Sequence, residues 1–144
     1  MRVYLDNCTF NRPFDDQSLA RIRLETEAKL FIQRKVREGR LELAWSYILD
    51  YENQANPFGE RRDTIQGWKG YAVIDASETH KILAKAQTLI KVGVKSKDAL
   101  HIACAIEMKC AYFITTDDRL LKALKQVQEI TGVDPTAFVR EVEL

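Results

Sequence analysis

The chain has 144 residues, the length of one domain, and is read as a single unit over residues 1–144. Hydrophobic residues at 46% and charged residues at 30% exclude a disordered chain, and 22 Lys plus Arg against 21 Asp plus Glu exclude a protein that grips nucleic acid by bulk positive charge. No apolar run approaches the roughly 20 residues that span a bilayer. The opening Met-Arg-Val-Tyr-Leu-Asp reaches a charge too early for a signal peptide, and Cys8, Cys104 and Cys110 have neither metal nor disulfide spacing, so the expected location is a reducing cytoplasm.

Arg2-Val3-Tyr4-Leu5 is a short apolar run that ends at Asp6 and reads as a strand. Asn7 to Gln17, carrying Asn, Pro and Asp, reads as a loop. Ala20, Leu24, Ala28, Phe31 and Ile32 recur at helical spacing between about Ser18 and Glu38, and Gly39 supplies the stop. Leu41 to Trp45 reads as a second strand, with Ser46 capping a helix through Asn53. Asn56-Pro57 breaks that helix, and Glu60 to Trp68 forms another. Tyr71 to Asp75 is a third strand. Ser77 begins a helix striped by Ile82, Ala86, Leu89 and Ile90. Ser96 is the cap of the next helix, where Ala99, Ile102, Ala103 and Ile106 share one face and Cys104 reads as a small buried hydrophobe. Ala111 to Ile114 is a fourth strand closed by Thr115-Thr116-Asp117-Asp118; a helix through Leu120, Leu121 and Leu124 follows, then a short edge strand near Glu129-Ile130. Short apolar runs alternating with amphipathic helices predict an α/β fold: a mostly parallel sheet of four to five strands with helices on both faces.

In such sheets ligands sit beyond the carboxyl ends of the strands. Asp6 follows the first strand, Asp117 follows the fourth, and Asp98 lies in the first turn of its helix, where the positive end of the helix dipole favours the ionised form. Glu52, on the helix after the second strand, can point to the same edge. Carboxylates held this close repel unless a cation sits between them, and oxygen-only ligands select the hard ions Mg²⁺ and Mn²⁺. That combination suits hydrolysis of a phosphodiester.

Tyr4-Leu5-Asp6-Asn7, then Lys97-Asp98-Ala99-Leu100-His101-Ile102-Ala103, then Phe113-Ile114-Thr115-Thr116-Asp117-Asp118 resemble the PIN-domain family, in that family's order and over nearly the whole chain. The resemblance implies a central parallel sheet and a metal-dependent ribonuclease that leaves a 5′-phosphate and a 3′-hydroxyl. Asp6, Asp98 and Asp117 match the first, third and fourth acidic positions, and these three are the expected ligands of the Mg²⁺ or Mn²⁺ ion. The second position falls to Glu52 or Asp50, with Glu52 favoured by residue type and distance past Ser46. Asp118, beside Asp117, is either an accessory ligand or a helix-start acid.

Many small members of the family are toxins of VapC-type toxin–antitoxin pairs, a role that implies an antitoxin partner and a homodimer alongside the RNA substrate. The segment from Asn53 to Trp68, with Asn56-Pro57 and Arg61-Arg62, departs from the short helical clip of the smallest such toxins. Asn7, Arg12 and Thr116 are the candidate substrate-binding residues, with Lys95, Lys97, Arg119 and Lys122 as a basic rim. Thr116 either positions Asp117 or caps the last helix. His101 reads as a packed or solvent-facing histidine rather than a general base. A non-catalytic nucleic-acid- or protein-binding module on the same fold is the alternative.

Overall fold

The computed structural model describes residues 1–144. Five strands, β1 (Arg2–Leu5), β2 (Glu42–Ser46), β3 (Ala72–Ala76), β4 (Tyr112–Ile114) and β5 (Thr131–Val133), form one parallel sheet in the order β3-β2-β1-β4-β5. Eight helices surround it: α1 (Asn7–Asn11), α2 (Ala20–Arg37), α3 (Tyr47–Gln54), α4 (Gly59–Gly67), α5 (His80–Lys91), α6 (Ser96–Glu107), α7 (Asp118–Leu124) and α8 (Pro135–Glu141). Three consecutive residues of β1, Val3, Tyr4 and Leu5, are fully buried, as a strand covered on both faces requires. In α6, Ala99, Ile102 and Ala103 are fully buried in the core and Ile106 is partly buried against it. The small alanines permit α6 to pack closely, and α5 packs beside it with Ile82, Ala86 and Leu89 buried. No helix is long and apolar enough to cross a membrane.

The structure departs locally from the sequence pattern, each time for a physical cause. Asn7 to Gln17 is not a plain loop: the Asp6 side chain accepts the Asn7 N–H, starting α1, and Pro13 then favours a short 3₁₀ turn over Arg12–Phe14. The helix after β3 starts at His80 because the Thr79 hydroxyl, not Ser77, accepts the Ile82 N–H at 3.2 Å. Ser96 is the first residue of α6, and Lys95 precedes it without a side-chain cap. The last strand lies at Thr131–Val133 rather than Glu129-Ile130, and α8, capped by Asp134 with Pro135 in its first turn, packs on α2. Gly39 ends α2 with φ of 75°, a left-handed conformation that a side chain resists.

This topology locates the crevice. From β1 the chain proceeds to β2 and β3 on one side, then crosses to β4 and β5 on the other, so the strand order reverses between β1 and β4. Ligands of open parallel sheets bind at that reversal, beyond the carboxyl ends. Leu5 is level with Ile114, and the Asp6 N–H donates to the Ile114 carbonyl at 2.9 Å. Asp6 and the loop that leads to Asp117 therefore leave the sheet together.

Candidate active site

A cleft of about 360 Å³ opens at this edge, and Asp6, Glu52, Asp98 and Asp117 all line it, with Asn7 and Cys8 between them. Each acid arrives on a different element. Asp6 caps α1 and Asp117 caps α7, where its Oδ1 accepts the N–H groups of Arg119 and Leu120 at 3.0 and 3.2 Å. Asp98 sits in the first turn of α6 and Glu52 in the second half of α3.

Asp6 is buried and well held. Its Oδ1 accepts the Asn7 N–H at 2.8 Å, and its Oδ2 accepts the Thr115 hydroxyl at 2.8 Å and the Cys8 thiol at 3.4 Å. Thr115 also accepts the Asp117 N–H at 3.2 Å, so one hydroxyl ties the two acids together. Glu52 accepts from Asn7 Nδ2 at 3.3 Å and from His101 Nε2. Burial works to raise the Glu52 carboxyl; the bond from His101, helped by Lys97 and Asn7, outweighs it and holds the group below the usual carboxylate range.

Asp98 is different. Nothing bonds its carboxyl, which burial and then the charges of Asp6, Asp117 and Glu52 push up to about 6, against a partial opposing pull from His101. It binds its proton more tightly in the folded chain than in the unfolded one, where the value is 3.8. The metal-free protein therefore gains stability as pH falls from above 6 toward 4. Asp98→Asn should melt higher than the parent at about pH 7 and lose the rise in melting temperature that the parent shows between about pH 7 and 5. A melting series with EDTA reads both effects, and a parent whose melting temperature is flat across that window would contradict the assignment.

A PIN-domain family profile matches residues 3–126, a span that takes in all four acids of the cleft. The chain belongs to the PIN-domain family. No curated protein matches the sequence. Among solved structures, the crystal structure of FitAcB from Neisseria gonorrhoeae superposes with a TM-score of 0.59 at 12% identity, covering 92% of this chain and 97% of that one. The structure of VapBC2 from Rickettsia felis, bound to a DNA fragment from their promoter, matches with a TM-score of 0.59 at 12% identity over 93% and 98% of the two chains. VapBC-1 from nontypeable Haemophilus influenzae gives a TM-score of 0.56 at 16% identity, over 94% and 99%. At these identities the likeness is one of fold.

Within the PIN cleft the remaining residues sort by position. Asp50 faces away from the site: it accepts from Trp45 Nε1 at 2.9 Å, Gln66 Nε2 at 3.1 Å and Lys69 Nζ at 3.0 Å, and so braces α3 against α4 and the turn that follows it. Asp118 is exposed and forked by Arg21 at 2.7 and 2.8 Å, which ties α2 to the start of α7. Of the expected substrate-binding residues only Asn7 lines the cleft. Arg12 is spent on ion pairs with Asp15 at 2.9 Å and Glu25 at 3.1 Å. Thr116 is buried, and Thr115 makes the contacts to Asp6 and Asp117. A hydroxyl at 115 was visible in the Thr115-Thr116 pair, but only the tertiary structure decides which of the two meets the acids. Lys95 and Arg119 line a small cavity that adjoins Asp98 and Asp117, while Trp45 is fully buried in the core.

Cys8 also lines the cleft, a position that the sequence did not reveal. Burial and the Asp6 charge push its thiol up to about 11, so it stands as a neutral donor to Asp6 and not as a nucleophile.

The donor set fits a hard divalent ion. It is made of carboxylate oxygens, it carries uncompensated negative charge, and Asp98 has no competing partner. As the side chains stand, no three of them are arranged around a common ion position.

Proposed function

We propose that this PIN domain is a Mg²⁺- or Mn²⁺-dependent endoribonuclease. The observation that carries the reading is the Asp98 carboxyl, unpartnered and raised first by burial and then by three neighbouring acids in a cleft at the strand reversal. Such stored repulsion destabilises the fold and suits a site that receives a cation. Asp6, Asp98 and Asp117 would hold the ion, and Glu52, with both oxygens engaged, completes the cluster. When bound, a hard divalent ion supplies charge for the phosphoryl oxygens and for the attacking water. Asp6 and Asp117 meet the reaction already oriented by Thr115, which lowers the reorganisation required. Asn7 orients Glu52, and Lys95 and Arg119 offer cations beside the acids to an RNA backbone.

The test is cleavage of a mixed pool of structured and single-stranded RNAs with Mg²⁺ or Mn²⁺ and with EDTA. Metal-dependent cleavage that leaves 5′-phosphate ends supports the proposal; cleavage that survives EDTA contradicts it. A second reading, a non-catalytic binding module, is favoured by the fact that no three acids are yet arranged around one ion. Binding of RNA without Mn²⁺ binding or cleavage would select it.

The similar structures named FitAcB, VapBC2 and VapBC-1 extend the proposal to partners. The chain is proposed to be the toxin of a toxin–antitoxin pair, with a small antitoxin encoded beside it, acting in the cytoplasm as a homodimer. Toxicity on expression alone, relieved by the adjacent reading frame, is the expected result.

A further inference from the structure

Behind the cleft runs a continuous line of hydrogen bonds that the reading above does not use. Ser46 Oγ lies 2.6 Å from Tyr4 Oη, Tyr4 Oη lies 2.5 Å from His101 Nδ1, and His101 Nε2 meets Glu52 Oε1. Ser46, Tyr4 and His101 are 0%, 0% and 1% exposed. Polar groups buried this deeply destabilise a fold unless each finds a partner.

The order of the protons follows from the two ends of the line. The ionised Glu52 carboxylate only accepts, so His101 Nε2 carries the hydrogen between them. With the ring neutral, Nδ1 accepts from the Tyr4 hydroxyl, whose oxygen accepts from Ser46. The Ser46 oxygen in turn accepts the Leu49 N–H at 3.3 Å, the bond that starts α3. Every member is satisfied, and every donor points toward Glu52.

The line also joins the elements that carry the acids. Tyr4 is on β1, two residues before Asp6; His101 is on α6, one turn after Asp98; Ser46 and Glu52 flank the first turn and a half of α3. The ring of Tyr4 is pinned further by stacking on Phe113 of β4, with centroids 5.3 Å apart. One buried line therefore fixes the mutual placement of Asp6, Asp98 and Glu52. Without His101, Asn7 Nδ2 at 3.3 Å is the only bond left to the Glu52 carboxylate.

We propose that His101, backed by Tyr4 and Ser46, is a positioning residue that fixes the Glu52 carboxylate in the cleft and aligns three of the four acid-bearing elements. The catalytic consequence rests on the nuclease reading; the bonded line itself does not.

Two measurements test it. In the resting protein, NMR should show an exchange-protected His101 Nε2–H proton that disappears in Glu52→Ala, where the nitrogen faces water. In kinetics, Tyr4→Phe combined with His101→Leu removes the phenol hydroxyl and the imidazole together, so that neither is left facing an apolar side chain in place of the other. That variant should lose about 10- to 100-fold in kcat, the scale of outer-shell partners, with KM little changed. His101→Gln, which returns an N–H donor at similar reach, should recover most of the loss. Adding Glu52→Gln to the Tyr4→Phe/His101→Leu variant should cost clearly less than Glu52→Gln costs the parent, because the residues act through one another.

Full additivity in that cycle overturns the proposal, as does the absence of the protected proton; the NMR test needs only the parent and Glu52→Ala and stands even if the double variant fails to fold. A protected proton in a parent that cleaves no RNA would sink the nuclease reading and leave the bonded line intact.

Discussion

Asp98→Asn and Asp6→Asn should both abolish most RNA cleavage, by roughly a hundredfold or more, the scale lost when one preorganised group that stabilises developing charge is removed. Their effects on the metal-free fold should differ. Asp98 has no bonding partner and is raised to about 6 by burial and its neighbours, so neutralising it relieves repulsion and the melting temperature rises. Asp6 accepts from the Asn7 N–H, the Thr115 hydroxyl and the Cys8 thiol, so the asparagine gives up charge-assisted bonds as it relieves repulsion, and the melting temperature stays close to the parent's. In both variants the stabilisation that Mn²⁺ confers should shrink. Asp118→Asn loosens only an exposed pair with Arg21 and should leave cleavage unchanged. RNA cleavage and melting curves with and without Mn²⁺ read all of these. Parent-like cleavage by Asp98→Asn would remove the acid cluster from the mechanism.

Ile102→Asp should unfold the protein. The side chain is 0% exposed on α6, in the continuous core that also contains Tyr4, Phe113 and Ala99. An unpaired buried charge together with the lost apolar contacts costs about 4 kcal/mol or more, a large share of the roughly 5–15 kcal/mol that a domain has. Ile102→Val should cost only about 1 kcal/mol. Circular dichroism on the purified variants distinguishes them, and a folded Ile102→Asp would show that this face of α6 does not pack against the sheet.

The strands and the long helices were legible because burial imposes a period. Ala99, Ile102 and Ala103 recur at helical spacing since only one face of α6 meets the core, and Val3-Tyr4-Leu5 is uniformly apolar since both faces of β1 are covered. Helix starts were harder to read. Ser77, Thr79 and Ser96 are all plausible caps by residue type, and only backbone geometry lets Thr79 reach its N–H while Ser77 and Ser96 do not. The short α1 was hidden because its stability comes from Asp6 and from packing of Phe10 against Trp45, not from its own periodicity.

The same division runs through the site. The sequence by itself determined a parallel α/β sheet, the PIN-like order of motifs, and acids at strand ends and a helix start, because these follow from local pattern and from the geometry common to all such sheets. Choosing between neighbours required tertiary structure. Glu52 and Asp50 lie on one helix two residues apart, so their side chains point in different directions, and only the placement of His101 and Lys69 shows which faces the cleft and which braces the scaffold. Thr115 rather than Thr116, Arg12 bound up with Glu25, and the line from Ser46 to Glu52 all depend on contacts between residues far apart in the chain. A hydrogen bond across 97 residues, such as that of Tyr4 to His101, leaves no periodic trace in a sequence, because it is set by how the strands and helices dock and not by the residues on either side.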